Sequence, residues 1–167
     1  NNWSHKIKRT IKNAEEIKVS AVEFTNEKIE AKADFVVDLK KETETKKVFA
    51  NLITSIPEIS LLKEFEGKRK REIPKLLSFN GDELYEITFS LPENAKIFNL
   101  PKNVSNSGDI RIYQNTSANE DKVTVSFGCS IGKNQINQKD FEEAAKSVSN
   151  LLSDSCRFVY LEEKKKK

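Results

Sequence analysis

The stretch that decides the fold runs from Lys70 to Pro101 and reads KREIPKLLSFNGDELYEITFSLPENAKIFNLP. Apolar and polar side chains alternate over residues 85–91, Pro92 ends this run, and a second short apolar run follows. Because successive side chains of a strand point to opposite faces, the alternation predicts a half-buried strand in a sheet with one wet side. The predicted inward face carries Tyr85, Ile87, Phe89 and Leu91.

The composition is that of a folded globular protein. The chain has 167 residues, of which 37% are hydrophobic and 33% are charged, and ten phenylalanines supply apolar area for a core. A chain of this length suits one domain that buries about 70% of its unfolded surface. The sequence contains no Met and opens with Asn1-Asn2-Trp3. We therefore interpret residues 1–167 as a single domain that is a fragment or processed piece of a longer protein.

The charge pattern argues against two classes of partner. Lys and Arg number 29 against 26 Asp and Glu, whereas a nucleic-acid-binding domain usually has a larger basic excess on one face. The basic run Gly67–Arg71 has acidic neighbours, which favours a solvated loop. No apolar run approaches the ~20 residues needed to cross a bilayer. We expect neither nucleic acid nor a membrane span.

Strands are predicted along the first part of the chain. The clearest alternation begins at Ile29 and continues to Lys40, which is long for one strand, so we expect it to bend or to serve two sheets. Before it, the apolar face of the run from Ile17 shifts by one position at Val22, as it would at a β-bulge. The charged residues 40–47 predict a hairpin connection.

The second part of the chain continues this pattern. A strand is predicted to begin at residues 110–113, and the polar residues 115–121 predict a turn after it. Residues 123–131 form a second clean alternation. Its predicted inward face carries Val123, Val125, Phe127, Cys129 and Ile131.

One amphipathic helix is predicted over about residues 138–153, followed by a final strand over 156–161. Asn137 is a good cap for the first turn, and Asp140, three residues on, can reciprocate. One apolar stripe recurs at helical spacing, at Phe141, Ala144, Ala145, Val148, Leu151 and Leu152. The sequence therefore predicts a mainly β fold, an antiparallel β-sandwich with one C-terminal helix and a last strand.

The residues with nucleophilic or basic chemistry do not form a catalytic set in the sequence. Cysteine catalysis needs a thiol, a histidine that activates it and an orienting acid, yet the one histidine, His5, is far in sequence from both Cys129 and Cys156. Cys129 falls on the inward face of a predicted strand, where a thiol is inert. Two cysteines without CxxC spacing make no metal site, and we expect no catalytic, metal or cofactor site. Whether the two thiols are bridged stays open.

Several motifs resemble the C-terminal accessory domain of bacterial transglutaminase-like proteins, in the papain-like transglutaminase/protease superfamily. The resemblance spans about residues 69–162. Its motifs are Arg71-x-x-Pro74, Tyr85-x-Ile87-x-Phe89-x-Leu91-Pro92-Glu93, Leu100-Pro101, the pair Asp140-Phe141 and the apolar run Phe158–Leu161. In that family the catalytic residues lie in the preceding core, so the resemblance implies no catalytic residue in this chain.

The resemblance implies a non-catalytic module that packs against or orients an upstream transglutaminase-like core of the same polypeptide, in an exported, periplasmic or cell-surface protein. The alternative is a free-standing β-sandwich that binds a surface protein or a glycan through exposed aromatic side chains. A catalytic core encoded upstream would favour the first hypothesis, and a signal peptide directly before Asn1 would favour the second.

Overall fold

A computed structural model describes residues 4–5, 7–8, 14–25, 29–37, 40–42, 47–51, 65, 75–77 and 81–164. In this part of the chain the first strands are β1 (Ala14–Phe24), β2 (Ile29–Val37), β3 (Lys40–Glu42), β4 (Lys47–Asn51), β5 (Lys75–Leu76) and β6 (Gly81–Ser90). They are followed by β7 (Ala95–Asn99), β8 (Val104–Ser105), β9 (Ile110–Ala118), β10 (Lys122–Ile131) and β11 (Gln135–Ile136). The chain ends with helix α1 (Gln138–Leu151), the short helix α2 (Asp154–Arg157) and β12 (Phe158–Glu163).

Two four-stranded sheets carry most of the fold. The first sheet has the strand order β6-β10-β9-β8 and the second has the order β3-β4-β12-β7. All described strand pairs are antiparallel, including the separate pairs β1-β2 and β5-β11. The predicted mainly β, antiparallel class with a C-terminal helix and a last strand is confirmed.

The inward face of β10 organises the core, because its two halves are covered by different elements. Val123 and Val125 pack with Val159 and Leu161 of β12, so one half lies against the second sheet in a sandwich arrangement. The other half packs beneath α1 in a cluster with the apolar face of that helix. All five predicted inward residues of β10 are buried: Val123, Val125, Phe127, Cys129 and Ile131.

Helix α1 begins as predicted. The Asn137 side-chain oxygen accepts a hydrogen bond from the Asp140 backbone N–H at 2.9 Å, and the Asn137 amide donates to the Asp140 carboxylate at 2.8 Å. The cap satisfies a backbone donor that the first turn of a helix leaves unpaired. Of the predicted stripe, Phe141, Ala144, Val148 and Leu151 are buried, and Ala145 and Leu152 are partly buried against the same core.

Some predicted boundaries are wrong. Helix α1 ends at Leu151 rather than near 153, and Cys156 lies in α2, so the last strand starts at Phe158. Strand β9 extends to Ala118, because residues 115–118 of the predicted turn pair with β10, and residues 119–121 connect the two strands. The predicted basic loop Gly67–Arg71 lies outside the described residues.

The irregularities predicted in the N-terminal strands are present. The pairing of β1 with β2 shifts register between Val19 and Ala21, which is the bulge expected before Val22. A second shift lies between Glu15 and Lys18, where Glu16 has a left-handed φ of 49°. Residues 29–37 of the long alternating run form β2 of the hairpin, and Lys40, its last residue, begins β3 of the second sheet.

Candidate functional site

The residues that could supply cysteine chemistry lie in unrelated settings. Cys129 is buried on β10, which has a neighbouring strand on each side, and Cys156 is buried on α2. Both are free thiols. His5 is exposed and helical. The fold thus uses both cysteines as small core residues.

The environment of Cys129 opposes formation of a thiolate. Burial, which contributes most, and the negative charges of Glu83 and Asp82 together raise the pKa of this thiol to about 12. Glu83 faces Cys129 directly across the β6–β10 pairing, and Asp82 is its neighbour along β6. Since the thiolate is the nucleophilic form of cysteine, Cys129 is held in its unreactive form at neutral pH.

We expect the free energy of unfolding to fall as pH rises from 9.0 toward about 12, partly through Cys129. Below pH 9.0 the thiol is protonated in both states; above it, the unfolded chain loses this proton while the folded chain keeps it. In urea unfolding between pH 8 and 11, Cys129→Ala should remove up to about 1.4 kcal/mol per pH unit of this decline. Val125→Ala, a buried truncation on the same strand face, should keep the wild-type slope. Equal slopes for all three proteins would contradict the assignment.

The described ranges contain neither a metal-binding cluster nor a membrane-spanning helix. Among those residues, no group of three or more His, Cys, Asp or Glu side chains is arranged to hold a metal ion. Across the same ranges, every helix is too short or too polar to span a bilayer. The described residues do include exposed sheet surface, which is the remaining candidate for a functional site.

The β1–β2 hairpin is the candidate docking surface of this protein. Its apolar face, which we call the hairpin face, consists of Ile17, Val19, Val22, Ile29, Ala31, Ala33 and Phe35. The hairpin is anchored at one end, where Ala14 is buried and the Phe35 ring meets the Phe89 ring of β6 edge-on at 6.1 Å between centroids. A two-stranded hairpin is marginal alone, so this contact is needed to hold it.

Exposure of the hairpin face increases away from that anchor. Phe35 is half-buried at the anchored end, whereas Val22 is 37% exposed and Ile29, beside the turn, is 61% exposed. The opposite face of the hairpin carries charged side chains, among them Lys18, Lys32 and Asp34, and one exposed valine, Val36. The alternation in the sequence correctly placed Ile29, Ala31 and Phe35 on one face. On that face Ile17, Val19, Ala31, Ala33 and Phe35 are half-buried, whereas Val22 and Ile29 are exposed.

The comparisons with known proteins returned no match: no family model fits the chain, and neither a curated protein nor a solved structure is significantly similar. The likeness to the accessory domain of transglutaminase-like proteins therefore rests on the motifs of the sequence alone.

Proposed function

We propose that this chain is a non-catalytic accessory module that packs against a transglutaminase-like core of the same polypeptide, in an exported bacterial protein. The observation that carries the docking role is the exposed end of the hairpin face. Val22 and Ile29 lie on the apolar side of a strand pair, at the end that the rest of the described fold leaves open. Exposed apolar side chains on one face of a strand pair offer surface that a partner can cover.

The state of the thiols supports a role without catalysis. Cys129 and Cys156 are both buried, and the raised pKa of Cys129 disfavours the thiolate that a transglutaminase or cysteine protease requires. In the proposed arrangement the core supplies the nucleophile, and this chain supplies a surface that orients the core. The purified chain should accordingly show no transglutaminase or protease turnover above buffer.

The docking role predicts different effects for the two faces of the hairpin. Ile29→Asp should weaken binding to the separately expressed core about tenfold or more, because a buried carboxylate without a partner opposes association. Val36→Asp is the matched control, since Val36 is 54% exposed on the opposite face of the same strand. Isothermal titration calorimetry measures both affinities, and the melting temperature of the chain alone should change little in either variant.

The outcomes of that experiment separate the hypotheses. Equal loss of affinity in both variants would contradict docking through the hairpin face.

The sequence of the parent gene tests the identity of the partner, because the proposal requires an upstream core with Cys, His and Asp residues. Turnover by the chain alone that disappears in Cys129→Ala would overturn the non-catalytic assignment.

A further inference from the structure

The outward face of the first sheet contains an unusual row of side chains. Gly128, in the middle of β10, pairs with Leu84 of β6 on one side and with Tyr113 of β9 on the other. Because paired residues of antiparallel strands share a face, these three positions lie side by side on the outward surface. Leu84 is 63% exposed, whereas Gly128, without a side chain, is buried.

The Tyr113 ring covers Gly128. A Cβ atom on Gly128 would lie 2.4 Å from Tyr113 Cζ, 2.5 Å from Oη and 2.7 Å from Cε1. Three successively bonded atoms at nearly equal distances mean that the face of the phenol ring, rather than its edge, lies over the glycine. One face of the ring therefore rests on the β10 backbone and the other face is turned away from the sheet. Tyr113 retains partial exposure in this position.

Polar side chains border this ring on both sides. One neighbouring row is Glu86, Ser126 and Asn115, in which the Ser126 hydroxyl donates to Glu86 Oε2 at 3.3 Å. The other is Asp82, Ser130 and Arg111. We call the three rows together the tyrosine platform.

The tyrosine platform has no basic excess. It carries two carboxylates, Asp82 and Glu86, and one cation, Arg111, and Lys122 lies farther along β10 on the same face. A face of this charge suits a neutral ligand rather than nucleic acid, which requires a basic excess. The apolar area of the platform is one ring face and Leu84, closely bordered by polar side chains, and this mixture suits a ligand rich in hydroxyl groups.

We propose that the tyrosine platform binds a neutral polysaccharide, with the C–H face of one sugar ring stacked on Tyr113. A rigid aromatic ring supplies apolar contact area at low cost in conformational entropy, and its hydroxyl adds a polar contact. The flanking carboxylates accept hydrogen bonds from sugar hydroxyls, and Arg111 and Asn115 donate to them. This inference does not rest on the accessory role proposed above, because it uses a different surface.

Affinity electrophoresis through gels that contain xylan, soluble β-glucan or glucomannan tests the proposal. At least one of these neutral polymers should retard the wild-type chain. Tyr113→Ala should weaken that apparent affinity about tenfold, whereas Tyr113→Phe, which keeps the ring, should retain most of it. Phe98→Ala is the matched control, because Phe98 is an aromatic side chain that is 56% exposed on the other sheet.

Gly128→Ala provides a second test that leaves the tyrosine in the chain. The added Cβ cannot coexist with the observed ring position, so Tyr113 must rotate and binding should fall as it does in Tyr113→Ala. Melting curves establish that each variant is folded. Absence of retardation by all three polymers, or a loss in Phe98→Ala that Tyr113→Ala and Gly128→Ala do not share, would overturn the proposal. Retardation only by an anionic polymer such as polygalacturonate would also overturn it.

Discussion

Phe141→Ala should lower the melting temperature by about 10 °C or more, or abolish soluble expression. The Phe141 side chain is 1% exposed, and its ring centroid lies 5.3 Å from that of Phe65 in the core between α1 and the first sheet. Truncation of a buried Phe costs about 3–5 kcal/mol, from a total stability of about 5–15 kcal/mol. At this chain length each kcal/mol shifts the melting temperature by about 2–4 °C.

Lys146→Ala is the control for this prediction, because Lys146 is exposed on the other side of the same helix. Its effect on the free energy of unfolding should stay within about 0.5 kcal/mol. Thermal melts followed by circular dichroism compare the two variants. If both melted alike, α1 would not be packed on the sheet, and its apolar stripe would have to serve another purpose.

Gln114→Ala should destabilise the chain by about 2–4 kcal/mol, although it removes a polar residue from the core. Gln114 is 0% exposed, and its Nε2 donates to the Cys156 carbonyl at 2.8 Å and to the Lys102 carbonyl at 3.1 Å. One amide thus connects β9 to α2 and to the segment after β7. Its removal leaves a cavity and withdraws the shared donor from two carbonyl oxygens, each of which costs about 1–3 kcal/mol if it is buried unpaired.

Two variants make this prediction specific. Asn115→Ala changes the next residue along β9, which is exposed on the opposite face, and should have an effect of about 0.5 kcal/mol or less. Gln114→Leu restores volume without a donor, so it should recover only the packing part of the loss. Urea unfolding measures all three. A Gln114→Leu variant as stable as the wild type would show that the two hydrogen bonds contribute little.

The candidate surfaces were only partly predictable. Alternation identified the apolar side of the hairpin, and the shift at Val22 indicated its bulge, because both are properties of a few consecutive residues. Exposure of Ile29 was not predictable, since it depends on how far β6 and its Phe89 extend beneath the hairpin. The tyrosine platform had no local signal in the sequence either. A glycine within a strand only weakens the strand prediction, and the role of Gly128 becomes visible once β9 places Tyr113, 15 positions earlier, beside it.

The sequence by itself determined the conformation and the buried side of the main elements. Periodicities of two and 3.6 residues are properties of a single element. They predicted the inward face of β10, the solvent-exposed face of β6 and the apolar stripe of α1. Asn137 capped the helix as predicted because its partner, Asp140, is three residues away.

The tertiary structure decided which elements meet. Strands β6 and β7 follow one another in the chain, yet they enter different sheets, where β6 pairs with β10 and β7 pairs with β12. Gln114 is buried because the Cys156 and Lys102 carbonyls converge on it from distant segments. The physical reason is that a strand's hydrogen-bonding edges are alike whatever its side chains, so its partners are selected by the packing of whole apolar faces, and that selection is not local.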